Sequence, residues 1–377
     1  MVITGGTGGL GLETAKRLAL GGADIIITAR SDDKGRAAVA EINEYLSAEF
    51  DDGVTESLGV KVSYRVLDLD NVRGIEDAVS EWASDETFPS RLDCLINNAG
   101  VMNLPKLELT GDGVERQMSS NHLGHFVLTK LLTPRLAKTA RIINVSSSAH
   151  QIANGGLDFD YCWGGAPGYN GWRSYGQSKL ANILFSQELQ RRSNESGREW
   201  NVACLHPGVV STDLWRQVVS AETYQSVRDL SNTIEDSLPD YIKEGLNNLA
   251  KKSGDLGIFK TVEQGATTSI WLAAGAYDDD NDGVRTNAGY YDNCKPQTLG
   301  DFARDEDAAQ RLWRESEERA GITFNFEEDS ALEMKASMTD EEEVEELKSP
   351  AKEKTVDEDE AKDTGADDVS EGEMKDI

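Results

Sequence analysis

From its first residue to about residue 290 the chain alternates short apolar runs with longer stretches in which apolar residues recur every three or four positions. The runs are Met1 to Ile3, Asp24 to Arg30, Val62 to Leu67, Leu92 to Ile96, Arg141 to Val145, Val202 to Leu205 and Ala288 to Tyr291. Continuous short apolar runs are the pattern of strands buried on both faces. The stretches between them predict helices over Leu12 to Leu20, Gly35 to Phe50, Val72 to Trp82, Val114 to Leu136 and Val262 to Ala274, with a further helix around Ser174 to Asn182. Strand and helix in regular alternation predict an α/β fold with a doubly wound parallel sheet and helices on both of its faces. Inside the fourth helix, Asn121 is out of place, because its amide competes with the backbone, and it marks a kink.

Two stretches break the alternation. From 213 to 260 the chain is polar and helical with no strand pattern, too long for a plain connection, and reads as an insertion that lids a substrate. From Glu327 to Ile377 there are 21 acidic and 6 basic residues with few aromatics, which predicts a disordered acidic tail after a single domain over 1–326. That tail holds half of the net charge of -30. So negative a chain is repelled by phosphate backbones, which argues against nucleic acid as a partner.

No apolar stretch of the roughly 18 residues needed to span a bilayer occurs. The first apolar run is short, so we expect the authentic start to lie upstream, where an anchor would have been lost. The four cysteines stand far apart with no Cys-x-x-Cys spacing and read as reduced thiols, consistent with a cytoplasmic setting. His122 and His125 lack an accompanying cysteine or carboxylate cluster, so they read as structural and no metal is expected.

Candidate chemistry sits at the ends of the apolar runs. Thr4-Gly5-Gly6-Thr7-Gly8-Gly9-Leu10-Gly11 joins a strand to a helix, and glycines there allow a tight turn and close approach of a pyrophosphate to a helix N-terminus. The second run ends in Ala29-Arg30, where a guanidinium suits the 2′-phosphate of NADP. The fourth run opens into Asn97-Asn98-Ala99-Gly100, whose small residues let a flat cofactor lie on the backbone. Tyr175 and Lys179 are one helical turn apart on one face, close enough for an ammonium to favour the phenolate. Phe159, Tyr161, Trp163, Tyr169 and Trp172 precede them and either line a pocket or pack their own loop.

Taken together, Thr4-Gly5-x3-Gly9-x-Gly11, Asp68-Leu69, Asn97-Asn98-Ala99-Gly100, Asn121, Ser146-Ser147-Ser148, Tyr175-x3-Lys179 and Pro207-Gly208 resemble the short-chain dehydrogenase/reductase family over about residues 1–325. The stretches Asn121 to Phe126, Ser174 to Asn182 and Gly289 to Cys294 are similar to its branch of retinol dehydrogenases and the WW-domain-containing oxidoreductase, with protochlorophyllide reductases as neighbours. This resemblance implies a Rossmann-type fold and NADP(H)-dependent interconversion of a lipophilic or aromatic alcohol with its aldehyde or ketone. It implies Tyr175 as general acid/base, Lys179 as the cation that lowers the phenol and holds the nicotinamide ribose, Ser147 as the hydrogen-bond partner of the substrate oxygen, and Asn121 as holder of a water. For the cofactor it implies Gly5, Thr7, Gly9, Leu10 and Gly11 at the pyrophosphate, Arg30 at the 2′-phosphate, Asp68 and Leu69 at the adenine, and Asn98, Ala99 and Gly100 at the ribose. Pro207, Gly208, Val210 and Thr212 would face the nicotinamide carboxamide. A homodimer is left open. Two rivals stand beside this reading: a non-catalytic NADP(H)-binding scaffold whose acidic tail engages a partner, and a tetrapyrrole reductase.

Overall fold

The computed structural model describes residues 1–49, 59–164, 167–208, 210, 260–275 and 288–326. Its centre is an eight-stranded sheet in the order β3-β2-β1-β4-β5-β6-β7-β8. The strands are β1 (Val2–Ile3), β2 (Ile25–Ala29), β3 (Val62–Val66), β4 (Leu92–Asn97), β5 (Leu136–Val145), β6 (Asn201–Leu205), β7 (Tyr290–Asp292) and β8 (Lys295–Gln297). All pair in parallel except the β7–β8 hairpin at one edge. Strand β1 has only two residues, yet both pair on either side, Val2 with Ile26 and Leu95, Ile3 with Ile27 and Ile96. The chain order reverses there, so a crevice opens beyond the carboxyl ends of β1 and β4.

Alternation along the strands divides the core into two layers. Val2, Ile26, Leu95, Ile142 and Val202 pack with helices α3 (Val72–Ser84), α4 (Gly124–Leu132), α5 (Gly171–Glu195) and α7 (Glu306–Ala320). Ile3, Ile27, Ile96, Ile143 and Ala203 face the other way onto α1 (Gly9–Leu20), α2 (Asp32–Glu49) and α6 (Val262–Ala274). Neighbours in sequence thus serve opposite layers, which is why these runs had to be apolar throughout. Helix ends are set by local chemistry: Thr261 and Gln264 form a reciprocal capping box on α6, which stops at the left-handed Gly275.

Asn97 and Asn144 are paired neighbours in the β4–β5 ladder, and the Asn97 amide donates to the Asn144 oxygen at 2.8 Å inside this apolar core. The Asn144 amide in turn donates to Ser186 on α5 at 2.9 Å.

Four elements differ from the sequence expectation. The span expected as one helix from Val114 to Leu136 is a helical turn at Arg116–Met118, a π-helical turn at Ser119–Leu123 and then α4, so the kink expected at Asn121 is a one-residue widening of the helix. Strand β5 starts at Leu136, not Arg141. Helix α7 and strand β8 were not anticipated. Helix α7 lays Trp313 against Phe126 and Phe324, with ring centroids 5.0 and 4.9 Å apart, and so covers α4 and α5. The expected insertion over 213–260 lies outside the described residues apart from Lys260, and the expected tail over 327–377 lies wholly outside them. All four cysteines are free thiols. Among the described residues no helix is long and apolar enough to cross a membrane, and no cluster of side chains is suited to a metal ion.

Candidate active site

A cleft of about 280 Å³ lies at the crevice, walled by the glycine turn, the ends of β2 and β3, the loop after β4, and Tyr175 and Lys179 of α5. Its floor is the turn between β1 and α1. Gly5 and Gly9 take positive φ of 65° and 51°, which glycine alone adopts at no cost. A Cβ on Gly11 would stand 2.4 Å from the Gly5 carbonyl oxygen and 2.5 Å from the Asn98 amide nitrogen, so the turn closes only without one. Helix α1 has no side-chain cap and no acidic residue in its first turn, which leaves its first N–H groups for an anion. These features fit a dinucleotide.

The upper wall hangs on Thr4. Its hydroxyl accepts the Asn98 and Ala99 N–H groups at 2.9 and 3.0 Å, and its carbonyl accepts the Asn98 amide at 2.8 Å. Gly5 N–H donates to Thr28 on β2 at 3.3 Å. On the β2 side Arg30 is exposed and lines the same cleft, as do Asp68 and the buried Leu69.

The tyrosine and lysine singled out by the sequence lie on α5, capped by Asn170 and entered through Gly171. Tyr175 and Lys179 are both buried, with the ammonium 5.6 Å from the phenol ring centroid. Burial pushes the Tyr175 phenol up to about 12, offset in part by a hydrogen bond from Ser147. It pushes Lys179 down to about 8. Sequence reasoning had Lys179 lower the phenol; here burial sets the direction of the phenol's shift, and the ammonium donates to the Val145 carbonyl at 3.0 Å.

Of the three serines, Ser146 is buried and donates to the Lys179 main-chain carbonyl at 2.7 Å. Ser147 is the one beside Tyr175, and Ser148 is exposed. Ser147 lies just past the cleft wall, fixed by accepting from Ala149 N–H at 3.2 Å. Asn121 is set behind the wall: it accepts from Val101 N–H at 2.8 Å and donates to Val101 carbonyl and Ser178 Oγ at 3.0 and 2.9 Å. The structure therefore gathers Gly5, Thr7, Gly9, Leu10, Gly11, Arg30, Asp68, Leu69, Asn98, Ala99, Gly100, Tyr175, Lys179 and Pro207 around one cleft. Gly208 and the buried Val210 follow Pro207 but do not line it, and Thr212 is outside the described residues.

The aromatic residues before Tyr175 divide. Tyr161 and Trp163 are buried, Trp163 donating to Glu315 of α7, and Tyr169 donates to the buried Glu115 at 3.2 Å; these pack the loop. Phe159 is covered by Arg311, 3.9 Å from the ring centroid. Trp172 alone meets Tyr175, edge to face at 6.2 Å. Sequence reasoning missed Thr28, Asp70 and Ser120 of the cleft wall, the last two hydrogen-bonded to each other, because nothing local distinguishes them.

A parallel sheet reversing at β1, a glycine turn shaped for a pyrophosphate and a tyrosine–lysine pair over the same cleft define a dinucleotide-dependent oxidoreductase fold. The comparisons agree. Residues 1–158 match the family described as short chain dehydrogenase. Human retinol dehydrogenase 13 is 35% identical over 329 residues, which span 85% of this chain and 84% of that protein. Human polyprenol dehydrogenase is 33% identical over 327 residues, covering 85% and 84%. The crystal structure of an uncharacterized protein from Mycobacterium Paratuberculosis superposes with a TM-score of 0.57 at 29% identity, over 86% of this chain and 94% of that one. The chain belongs to the short-chain dehydrogenase/reductase family, in the retinol dehydrogenase branch.

Proposed function

We propose that the protein interconverts a lipophilic or aromatic alcohol with its aldehyde or ketone, using NADP(H). What carries the reading is that Ser147 and Lys179 converge on Tyr175, which lines the same cleft as Arg30. The relatives support the substrate class, since retinol and polyprenol are both lipophilic alcohols.

The glycine turn with the N-terminus of α1 would hold the pyrophosphate, Arg30 the 2′-phosphate, and Asn98 to Gly100 the ribose. When bound, the nicotinamide supplies or accepts the hydride. The protein's own residues manage the proton. Tyr175 gives its phenolic proton to the carbonyl oxygen during reduction and takes it back from the alcohol during oxidation. A phenol held protonated by burial is ready to donate, and Ser147 steadies the oxygen as charge develops on it. Lys179, one turn away and partly poised between charged and neutral, would hold the nicotinamide ribose and favour the phenolate as the proton leaves.

Oxidation of NADPH and of NADH by the purified protein, followed against a panel of aldehydes and ketones including a retinal, tests this. Turnover with NADPH should fall by a factor of about 10²–10⁴ in Tyr175→Phe, with NADPH still bound. Arg30→Ala should weaken NADPH and leave NADH unchanged. Binding of NADPH without turnover of any carbonyl would sink the enzyme reading and leave a cofactor-binding scaffold.

A further inference from the structure

His125 is fully buried one helical turn beyond Asn121, and both of its ring nitrogens are engaged. Nδ1 lies 2.9 Å from the Asn121 main-chain carbonyl oxygen. A carbonyl only accepts, so Nδ1 carries the proton and the ring donates there. Nε2 lies 2.8 Å from the Thr4 hydroxyl, which is 121 residues away in sequence. In a neutral ring Nε2 is then the acceptor and Thr4 donates its one hydroxyl proton to it at 2.8 Å, in preference to the Ile96 carbonyl at 3.4 Å. That hydroxyl already accepts the N–H groups of Asn98 and Ala99, the residues of the cofactor wall.

We infer that His125 is a positioning residue that joins the dinucleotide cradle to the catalytic helix through one fixed tautomer, from Thr4 O–H to Nε2 and from Nδ1–H to the Asn121 carbonyl. On one side the ring orients the Thr4 hydroxyl so that its lone pairs face Asn98 and Ala99. On the other it holds the carbonyl of the π-helical turn, whose Asn121 side chain binds Val101 and Ser178, the residue before Lys179. The cleft wall and the proton-handling residues thereby share one rigid connection. The ionisable groups around the ring are Lys179 from α5 and His122 from the preceding turn, and neither hydrogen-bonds to it. The catalytic half of this inference rests on the function proposed above; the cofactor half does not.

Three substitutions separate the halves. His125→Asn keeps a donor near the Nδ1 position but cannot reach Thr4. His125→Gln reaches Thr4 but places no donor at the Asn121 carbonyl. His125→Phe keeps the volume and neither bond. We expect His125→Asn to weaken NADPH binding about tenfold while keeping the pH profile of kcat, and His125→Gln to bind NADPH within about threefold of the wild type but with a lower kcat and a displaced profile. His125→Phe should show both defects. The ¹⁵N signals of the wild-type imidazole should report a neutral ring protonated at Nδ1 across pH 5–9.

A ring protonated at Nε2, or a phenylalanine variant with wild-type affinity, overturns the inference. So does a set of variants whose losses simply track their melting temperatures. Should the wild-type protein bind NADPH but turn over no carbonyl, the proposed function fails on its own, and the affinity series with the ¹⁵N signals still decides the role of His125.

Discussion

Tyr175 and Lys179 lie one turn apart on α5, and their burial drives them in opposite directions, the phenol up to about 12 and the ammonium down to about 8. An acid that resists ionising beside a base that sheds its proton easily favours the neutral pair, so without a ligand the phenol keeps its proton rather than passing it to the amine.

The same lysine weakens the fold. Between about 8 and the ordinary 10.5 the unfolded chain binds a proton that the folded one has released, so stability rises with pH across that window. Below pH 8 the lysine destabilises, with an upper bound of about 3 kcal/mol. Lys179→Met should abolish turnover yet raise stability at pH 7 by about 1–3 kcal/mol, read as the urea midpoint. The Val145 carbonyl does not lose its last donor, because Asn182 also reaches it at 3.2 Å.

Gly11→Ala places a methyl group against the Gly5 carbonyl and the Asn98 amide. The turn must open, which should cost about 1–3 kcal/mol of stability and weaken NADPH more than tenfold. Titration of NADPH fluorescence checks the affinity, and thermal unfolding the stability.

His122 and His125 are buried neutral, held down to about 3 and about 4 by desolvation. Unfolding exposes them to their ordinary value near 6.5, so as pH falls below that the unfolded state binds protons that the folded state refuses. Stability should therefore drop with acid by about 1.4 kcal/mol per pH unit for each ring, down to their folded values. His122→Phe removes one of the two. Its ring neighbours are Phe126, Phe185 and Trp163, and its partner Ser316 keeps a bond to the Leu312 carbonyl. Urea midpoints at pH 6.5 and 5 should fall less steeply in this variant than in the wild type.

Trp313 is fully buried between Phe126, Phe185 and Phe324, with Arg192 stacked over it. Trp313→Ala should cost about 3–5 kcal/mol and strip α7 from α4 and α5. Faster amide exchange along α5 past Leu180, with NADPH affinity changed less than stability, is the expected signature.

Most of the sheet was legible because strand segments buried on both faces are apolar at successive positions, and Ile25 to Ile27 or Cys94 to Ile96 advertise that in a single run. The tyrosine–lysine pair and the glycine turn were legible because local spacing alone brings their residues together. Strand β8 was not: Lys295-Pro296-Gln297 is exposed and contains a proline, as an edge strand tolerates. Helix α7 carried a signal that was overlooked, an aspartate cap at Asp305 followed by Ala309, Leu312, Trp313 and Ser316 on one face, diluted by charged residues on the other. The partnership of His125 with Thr4 had no signal to find, because only the closed sheet brings those positions together.

The amide pair of Asn97 and Asn144 acts as a gauge for how the two strands are set level. Slipping β5 by one residue along β4 would separate the amides and put Ile143 or Val145 opposite Asn97. Wrong alignments are thus penalised during assembly. Each strand ends one residue beyond its asparagine or on it, and the chain runs directly on into Asn98 and Ser146. The level at which these two loops leave the sheet beside the cleft therefore follows the register that the two buried amides favour.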